Sequence, residues 1–160
     1  LTIDSQIGVI APKIVNYPSC TNANPYMCNR PSKGKIKFLK MVHSSVYTLF
    51  VYSALFEIKR MIKRKTQDVI HTHIYAPHGS CMIFTKEYFV KGGGFDFSGF
   101  LFGEEIFVGE TCKNINLKVW SQNDLLIKHY EHSSIGKLQS KNIVNYAKNS
   151  LQILEDKLFN

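Results

Sequence analysis

The chain has 160 residues, of which 44% are hydrophobic, and it carries 20 Lys or Arg against 12 Asp or Glu. This length and apolar content exclude an intrinsically disordered protein and predict a single folded domain over residues 1–160. The formal charge of +8 predicts anionic partners, such as phosphates on nucleotides or on lipid headgroups.

The chain begins with a short apolar run at residues 7–11, which predicts a buried strand. We expect this strand to stop at Pro12, because proline has no N–H to donate to a neighbouring strand. Residues 16–35 contain three prolines and Gly34 among Asn, Ser and Thr, which predicts a long loop. The first residues lack the basic start and apolar core of a secretion signal, and the chain opens on Leu, so we expect a piece of a longer protein.

Residues 36–65 contain no Gly or Pro and repeat apolar side chains at helical spacing, which predicts one long helix or two. The apolar stretch at 46–56 is shorter than the roughly 20 residues that span a membrane, so we expect a buried helix. The end of this region is basic. Such charge complements the negative end of a helix dipole or meets an anionic membrane face; the residues are Lys59, Arg60, Lys63, Arg64 and Lys65.

The second half alternates short strands and helices. Residues 69–75 and 79–84 predict strands on either side of a turn at 77–79. A short helix is predicted to begin at Thr85 and to end at the glycines 92–94. Further predicted elements are a helix at 104–115, strands at 117–120 and 125–128, and an amphipathic C-terminal helix at 143–158. This order of elements indicates an α/β fold.

Four cysteines occur without a C-x-x-C spacing, namely Cys20, Cys28, Cys81 and Cys112. Two of them lie in a predicted strand and a predicted helix, so we expect reduced thiols of a cytosolic protein. A disulfide between Cys20 and Cys28 is the alternative.

Two adjacent carboxylates, Glu104 and Glu105, begin the predicted helix after a turn-rich loop. A negative charge at a helix N-terminus is stabilised by the macrodipole and by unpaired N–H groups, which is a purely structural explanation. A carboxylate at the rim of an apolar stripe also suits a general base, since partial burial raises its pKa. The two glutamates stand about 100° apart and flank the apolar stripe on opposite sides, so spacing does not choose between them.

An H-x-H pair, His71 and His73, lies on a predicted strand, where both rings would point to one face as in a zinc site. No aspartate completes the hydrolase pattern, and isolated histidines are more often surface or core residues. Metal binding at this pair is therefore the weaker interpretation.

Several segments together resemble the family 2 glycosyltransferases. The matching motifs are the small-residue strand at 78–84, the turn Gly94-Phe95-Asp96, the acidic Gly103-Glu104-Glu105 and the apolar strand ending in His129. The match spans most of residues 7–134, with a divergent middle. No D-x-D triplet occurs, so the chain resembles the C-terminal, acceptor-side part of such an enzyme, with the nucleotide-binding half absent.

This resemblance implies a partial GT-A fold, in which helices flank a mixed sheet. It also implies an inverting transfer from a nucleotide sugar to a saccharide or lipid-linked acceptor in surface polysaccharide synthesis. Glu105 would be the catalytic base, with Glu104 as its neighbour, although many family members carry Asp there. The implied location is the cytoplasm, peripheral to the inner face of the plasma membrane.

The same resemblance assigns roles to four further residues. His78 and Gly79 would line the substrate pocket, and Asp96 would brace the loop beside it. His129 would contact the Mg²⁺ or Mn²⁺ ion of the complete enzyme, or the donor diphosphate. His129 offers only one nitrogen, so tight metal binding by this chain alone is not expected.

Two other classes of protein stay open. The positive charge and the many aromatic residues are typical of a nucleic-acid-binding domain, but the chain contains no recognised nucleic-acid module and we expect no such partner. A non-catalytic interaction fragment is the third interpretation, because the donor-binding half is missing.

Overall fold

The computed structural model of this chain describes residues 5–62, 72–130 and 140–159, apart from the side chains of 56–62 and 140. Two compact units interleave along the sequence. Unit 1 comprises Leu1–Arg30, Asp68–Phe97 and Glu104–Glu131, and unit 2 comprises Pro31–Gln67, Ser98–Gly103 and His132–Asn160.

The secondary structure of the described residues consists of strands and helices in both halves of the chain. The strands are β1 (Ile7–Tyr17), β2 (Thr21–Asn22), β3 (Thr72–Ile74), β4 (Ile83–Phe84) and β5 (Lys118–Tyr130). The helices are α1 (Lys33–Val42), α2 (Val46–Ile62), α3 (Lys86–Val90), α4 (Glu104–Asn114) and α5 (Ser140–Phe159).

A mixed, open sheet forms the centre of unit 1. The long strands β1 and β5 run parallel, and β3 pairs antiparallel with the other edge of β5. Both β2 and β4 pair antiparallel with β1. Helix α3 packs on β1 and helix α4 on β5. The predicted α/β fold with a mixed sheet flanked by helices is therefore confirmed.

The first strand is longer than predicted, because Pro12 does not end it and β1 continues to Tyr17. The register between β1 and β5 shifts here, from Pro12 opposite Gln122 to Lys13 opposite Leu126. A proline is tolerated beside such an irregularity, where a regular ladder hydrogen bond is not required. The strands predicted at 117–120 and 125–128 form a single strand, β5. The register shift falls in the segment between the two predicted strands.

Of the two strands predicted around the 77–79 turn, the second is shorter than expected, and the two do not pair with each other. β3 covers 72–74 and pairs with β5, whereas the two-residue β4 pairs with β1. Residues 69–71 lie outside the described residues. After β3 the backbone N–H groups of Tyr75 and Ala76 donate to the carbonyl of Met27, each at 3.0 Å. The pairing with β5 ends at Ile74, and the backbone pairs here with the loop that contains Met27.

The helices of unit 1 form where they were predicted. Helix α3 starts at Thr85, whose side chain accepts from the N–H of Tyr88, and its end is followed by Gly92 with φ of +91°. Helix α4 approaches the end of β3 so closely that a methyl group on Gly109 would overlap the Tyr75 carbonyl oxygen. The core between sheet and helices contains Val9, Ala11, Ile14, Ile74, Phe107, Val108, Cys112 and Val119.

All four cysteines are free thiols, which confirms the prediction of reduced cysteines. Cys20 and Cys28 are exposed and do not form the alternative disulfide. Burial raises the pKa of the Cys112 thiol to about 12.

The described residues of unit 2 are mainly helical, and α1 packs on α5. The amphipathic face predicted for α5 is confirmed, since Ala147, Leu151, Leu154 and Leu158 are buried. At the edge of this contact Lys40 Nζ lies 2.6 Å from Glu155 Oε2. The hydrogen bond from Lys40 holds the pKa of Glu155 below its usual range.

The region predicted as one long helix or two contains two helices, α1 and α2. The break falls at 43–45, where Ser45 and Thr48 cap α2 reciprocally: the N–H of each donates to the side-chain oxygen of the other, both at 3.2 Å.

The prediction that 46–56 forms a buried helix is wrong for the side chains that are described, 46–55. Tyr47 and Phe50 of α2 are 76% and 72% exposed. Apolar spacing gives a helix an apolar face, but only a tertiary partner covers that face. Lys63, Arg64 and Lys65, and the side chains of Lys59 and Arg60, lie outside the described residues. Among the helices that the structure describes, none has the length and apolarity to cross a membrane.

Candidate active site

The turn after β3, at His78 and Gly79, is fixed to the sheet by one buried amide. Asn24, which is 2% exposed, accepts a hydrogen bond from the His78 N–H at 2.8 Å. The Asn24 amide donates at 2.7 Å to the carbonyl of Pro12. Because that carbonyl belongs to β1, the position of the turn follows from the position of the strand.

Both predicted carboxylates lie against this turn. A methyl group added at Gly79 would stand 2.7 Å from Oε1 of Glu105 and 3.0 Å from Oε1 of Glu104. Helix α4 begins at Glu104, so the two side chains also stand at a helix N-terminus, where negative charge is stabilised. Glu104 is exposed and Glu105 is half-buried. This difference in exposure separates two residues that helical spacing left equivalent.

His129 approaches the same turn from β5. Its ring centroid lies 6.0 Å from that of His78, with the planes at 60°. Asn16, the partner of His129 in the β1–β5 register, has its Oδ1 at 3.1 Å from the Nδ1 of His129. An amide oxygen only accepts, so Nδ1 carries the proton and Nε2 of the neutral ring has the lone pair.

The ring of His78 has the opposite tautomer. The Ser80 N–H donates to its Nδ1 at 3.2 Å, so the proton of the neutral ring is on Nε2. The ring of Tyr26 stands edge-on at 5.8 Å. The structure thus brings together residues from four separate segments of unit 1: His78 with Gly79, Glu104 with Glu105, His129, and the loop that carries Asn24 and Tyr26.

Asp96, the remaining predicted site residue, lies beside the end of α3. A methyl group on Gly94 would meet its Oδ1 at 3.5 Å. Burial, with smaller effects from Cys112 and Asp96, raises the pKa of Tyr88 to about 12. The Tyr88 hydroxyl donates to the Gly94 carbonyl at 2.9 Å. The described contacts of Asp96 do not include the Gly79 turn, and its role as a loop brace stays a prediction.

A partly buried ion pair in unit 1 was not predicted. The guanidinium of Arg30 donates twice to Glu110, Nε to Oε2 and Nη2 to Oε1, each at 2.8 Å. The hydroxyl of Tyr75 donates to the same carboxylate at 2.9 Å. Burial opposes the ionisation of Glu110, but the hydrogen bonds from Arg30 and Tyr75 outweigh it and hold the pKa of Glu110 below its usual range.

This ion pair joins two parts of the candidate site. Arg30 ends the loop that carries Asn24 and Tyr26, and Glu110 lies about 1.4 turns along α4 from Glu105. No sequence pattern indicated it, because a single Glu in a helix and a single Arg 80 residues away in a loop carry no periodic signal.

The donor set around His129 does not fit a divalent metal ion by itself. No group of three His, Cys, Asp or Glu side chains converges as metal ligands within the described residues. Mg²⁺ and Mn²⁺ prefer several oxygen ligands in an octahedron. His73 is exposed and His71 lies outside the described residues, so the zinc interpretation of that pair gains no support.

A groove of about 330 Å³ lies at the other end of α4, between that helix and β3. Ile74, Cys112, Leu117 and Val119 line it, together with His73 and Lys113. It contains none of the predicted site residues.

No protein-family model matches this chain, and no curated protein or solved structure matches it. The functional assignment therefore depends on the site residues themselves.

Proposed function

We propose that this chain is the acceptor-side part of a family 2 glycosyltransferase with a GT-A fold. The observation that carries the proposal is the meeting of Glu104 and Glu105 with the Gly79 turn, next to the paired rings of His78 and His129. These residues lie up to 51 positions apart in sequence. The motif resemblance implies that these residues lie together in an active site, and they meet at one turn. Chance similarity of short motifs would not require such distant residues to meet.

The proposed reaction is an inverting displacement at the anomeric carbon of a nucleotide sugar. Glu105 takes the proton of an acceptor hydroxyl while that oxygen forms a bond to the anomeric carbon. The bond from this carbon to the diphosphate oxygen breaks, and the nucleoside diphosphate leaves with the electron pair. The half-buried position of Glu105 favours it as the base over the exposed Glu104, because a partly buried side chain is held in position and shielded from bulk water.

The histidines have positioning roles in this proposal. Asn16 orients the ring of His129, so that its Nε2 is the nitrogen available to a ligand. His78, held by Asn24 and Ser80, forms a wall of the acceptor pocket. No step is assigned to Mg²⁺ or Mn²⁺, because the described donors do not fit the ion alone; in the complete enzyme His129 is proposed as one ligand.

The acceptor is proposed to be a saccharide or a lipid-linked saccharide of surface polysaccharide synthesis, at the cytoplasmic face of the plasma membrane. This setting gives a use to the basic residues at 59–65, which would meet anionic lipid.

Glu105→Gln in the complete protein that contains this chain tests the base. Gln keeps the volume and hydrogen-bonding shape of Glu but cannot take a proton, so we expect kcat to fall by roughly 10²–10⁴-fold. The measurement is transfer of radiolabelled sugar from a panel of nucleotide sugars, with the melting temperature as a check on folding.

Glu104→Gln is the matched control. We expect it to retain kcat within about tenfold, because an exposed carboxylate at the helix N-terminus contributes mainly electrostatics. Near-native turnover of Glu105→Gln, or equal losses in both variants, would contradict the assignment of Glu105.

A further inference from the structure

We propose that unit 2 binds the surface of an anionic lipid bilayer by inserting the exposed apolar face of α2. This inference deepens the proposed function, which has the basic residues at 59–65 meet anionic lipid, by adding the insertion of an apolar helix face; the insertion itself requires no sugar transfer. The face consists of Tyr47, Phe50, Val51, Ala54 and Leu55, and it is called the α2 face below.

The α2 face is one continuous stripe. Its residues follow the i, i+3, i+4 pattern, and at 100° per residue they span about 140° of the helix. Leu55 is 59% exposed, and Tyr47 and Phe50 are more exposed still. Contiguous apolar surface of this kind on a folded protein marks an interaction site, whereas scattered exposed apolar residues do not.

The α1 helix extends the apolar surface of unit 2. Phe38 is 47% exposed, and its ring stands 5.9 Å from that of Tyr52 on α2. Met41, one turn further along α1, is also exposed. Unit 2 therefore presents exposed apolar side chains from two helices whose aromatic rings are in contact.

The charge of the chain is concentrated in the same unit. Unit 2 contains 13 Lys or Arg against 3 Asp or Glu, whereas unit 1 contains 7 against 9. The formal charge is thus +10 in unit 2 and −2 in unit 1, which together give the +8 of the chain. An apolar face on a strongly cationic unit complements a bilayer in which acyl chains lie beneath anionic headgroups.

The order of residues in the sequence agrees with this partner. The apolar stretch at 46–56 is followed, after Glu57 and Ile58, by Lys59, Arg60, Lys63, Arg64 and Lys65. An apolar helix face combined with a basic cluster supplies the two signals that stable attachment to a membrane surface requires. A stripe of this width suits a helix that lies in the plane of the surface.

The apolar side chains favour lipid over nucleic acid. Val51, Ala54 and Leu55 offer no hydrogen bond to a base or a phosphate, and aliphatic side chains do not stack as the aromatic platforms of single-strand binders do. Hydrocarbon is the partner that lowers their free energy.

The test is flotation of the full chain with vesicles of phosphatidylcholine containing roughly one third phosphatidylglycerol, with pure phosphatidylcholine vesicles as the comparison. We expect binding to the anionic vesicles, and weaker binding as salt is raised. Phe50→Gln and Leu55→Gln should each weaken partitioning by about tenfold. Replacing Lys63, Arg64 and Lys65 by Gln should weaken it by about fivefold per charge.

Leu126→Gln is the matched control. Leu126 belongs to unit 1 and is 56% exposed, a fraction close to the 59% of Leu55. We expect it to change partitioning by less than about twofold. Circular dichroism of each variant shows whether it is folded. Equal effects of Leu55→Gln and Leu126→Gln in folded proteins would overturn the proposal.

Two other partners are outcomes of the same experiment. Salt-sensitive binding to a single-stranded RNA oligonucleotide, with no binding to anionic vesicles, would overturn the proposal in favour of nucleic acid. A dimer seen by light scattering that Phe50→Gln dissociates, again without vesicle binding, would assign the α2 face to a second copy of the chain. Glu105→Gln should bind vesicles as the unmodified chain does, because Glu105 is not part of the α2 face. Vesicle binding is therefore expected even if the transferase proposal fails.

Discussion

Glu104 and Glu105 are neighbours in sequence but differ in their surroundings. Both reach the Gly79 turn, yet Glu104 is exposed and Glu105 is half-buried. Solvent screening weakens the influence of an exposed carboxylate, whereas a partly buried one responds to each nearby dipole and charge. The exposure of a single side chain therefore supports the choice that the motif resemblance suggested.

Gly79→Ala tests the closeness of this contact. The added methyl would stand 2.7 Å from Glu105 Oε1, which is the far end of a flexible side chain, so the carboxylate moves and the fold is kept. We expect transfer activity of the complete protein to fall by roughly 10–100-fold, since catalysis is sensitive to displacements of about 1 Å. The melting temperature should change little.

Gly94→Ala is the control for this substitution, because its methyl would meet Asp96 Oδ1 at an ordinary 3.5 Å. It should leave activity within about twofold. Full activity of Gly79→Ala would show that the carboxylates do not work from their position against the turn.

At the scale of elements, the sequence predicted helices more accurately than strands. The caps of α3 and the apolar face of α5 are local signals, and both are present in the structure. The bounds of the strands were predicted less accurately because strand pairing is non-local. Strand β1 continues past Pro12, where its register with β5 is irregular. The α2 helix forms within the range predicted to be helical, but the prediction that its side chains are buried is wrong. Periodicity does not identify what covers a helix face.

The apolar residues that stabilise unit 2 are expected to be those of α5 and not those of α2. Leu154→Ala removes a side chain that is 1% exposed and should lower the free energy of unfolding by about 3 kcal/mol. Leu55→Ala, on the exposed α2 face, should cost less than about 0.5 kcal/mol. Urea unfolding followed by circular dichroism compares the two variants, and a larger loss for Leu55→Ala would mean that α2 is buried in solution.

At the scale of the whole molecule, charge is unevenly distributed between the two units. The net positive charge and the exposed α2 face belong to unit 2, whereas the candidate active site lies in the mildly acidic unit 1. The proposed transfer activity and the proposed lipid binding are therefore expected to be altered by separate substitutions.

Thiol labelling reports on the integrity of unit 1. Exposed Cys20 and Cys28 should react with iodoacetamide within minutes at pH 8, whereas Cys112, with its raised pKa and buried position, should react at least about a thousandfold more slowly. Mass spectrometry of the labelled peptides measures both rates. In denaturant Cys112 should label as fast as the others, and rapid labelling of native Cys112 would contradict the packing of α4 on the sheet.

The sequence alone determined the α/β class, the helices with the caps of α3, the reduced state of the cysteines and a short set of candidate site residues. These follow from local patterns: periodicity, capping residues and spacing between chemical groups. Only the tertiary structure decided the course of β1 past Pro12, the Arg30–Glu110 ion pair, the exposure of the α2 face and the meeting of Glu104, Glu105, His78 and His129 around Gly79. Each of these depends on contacts between residues far apart in the chain, and no local pattern specifies which distant residue will be the partner.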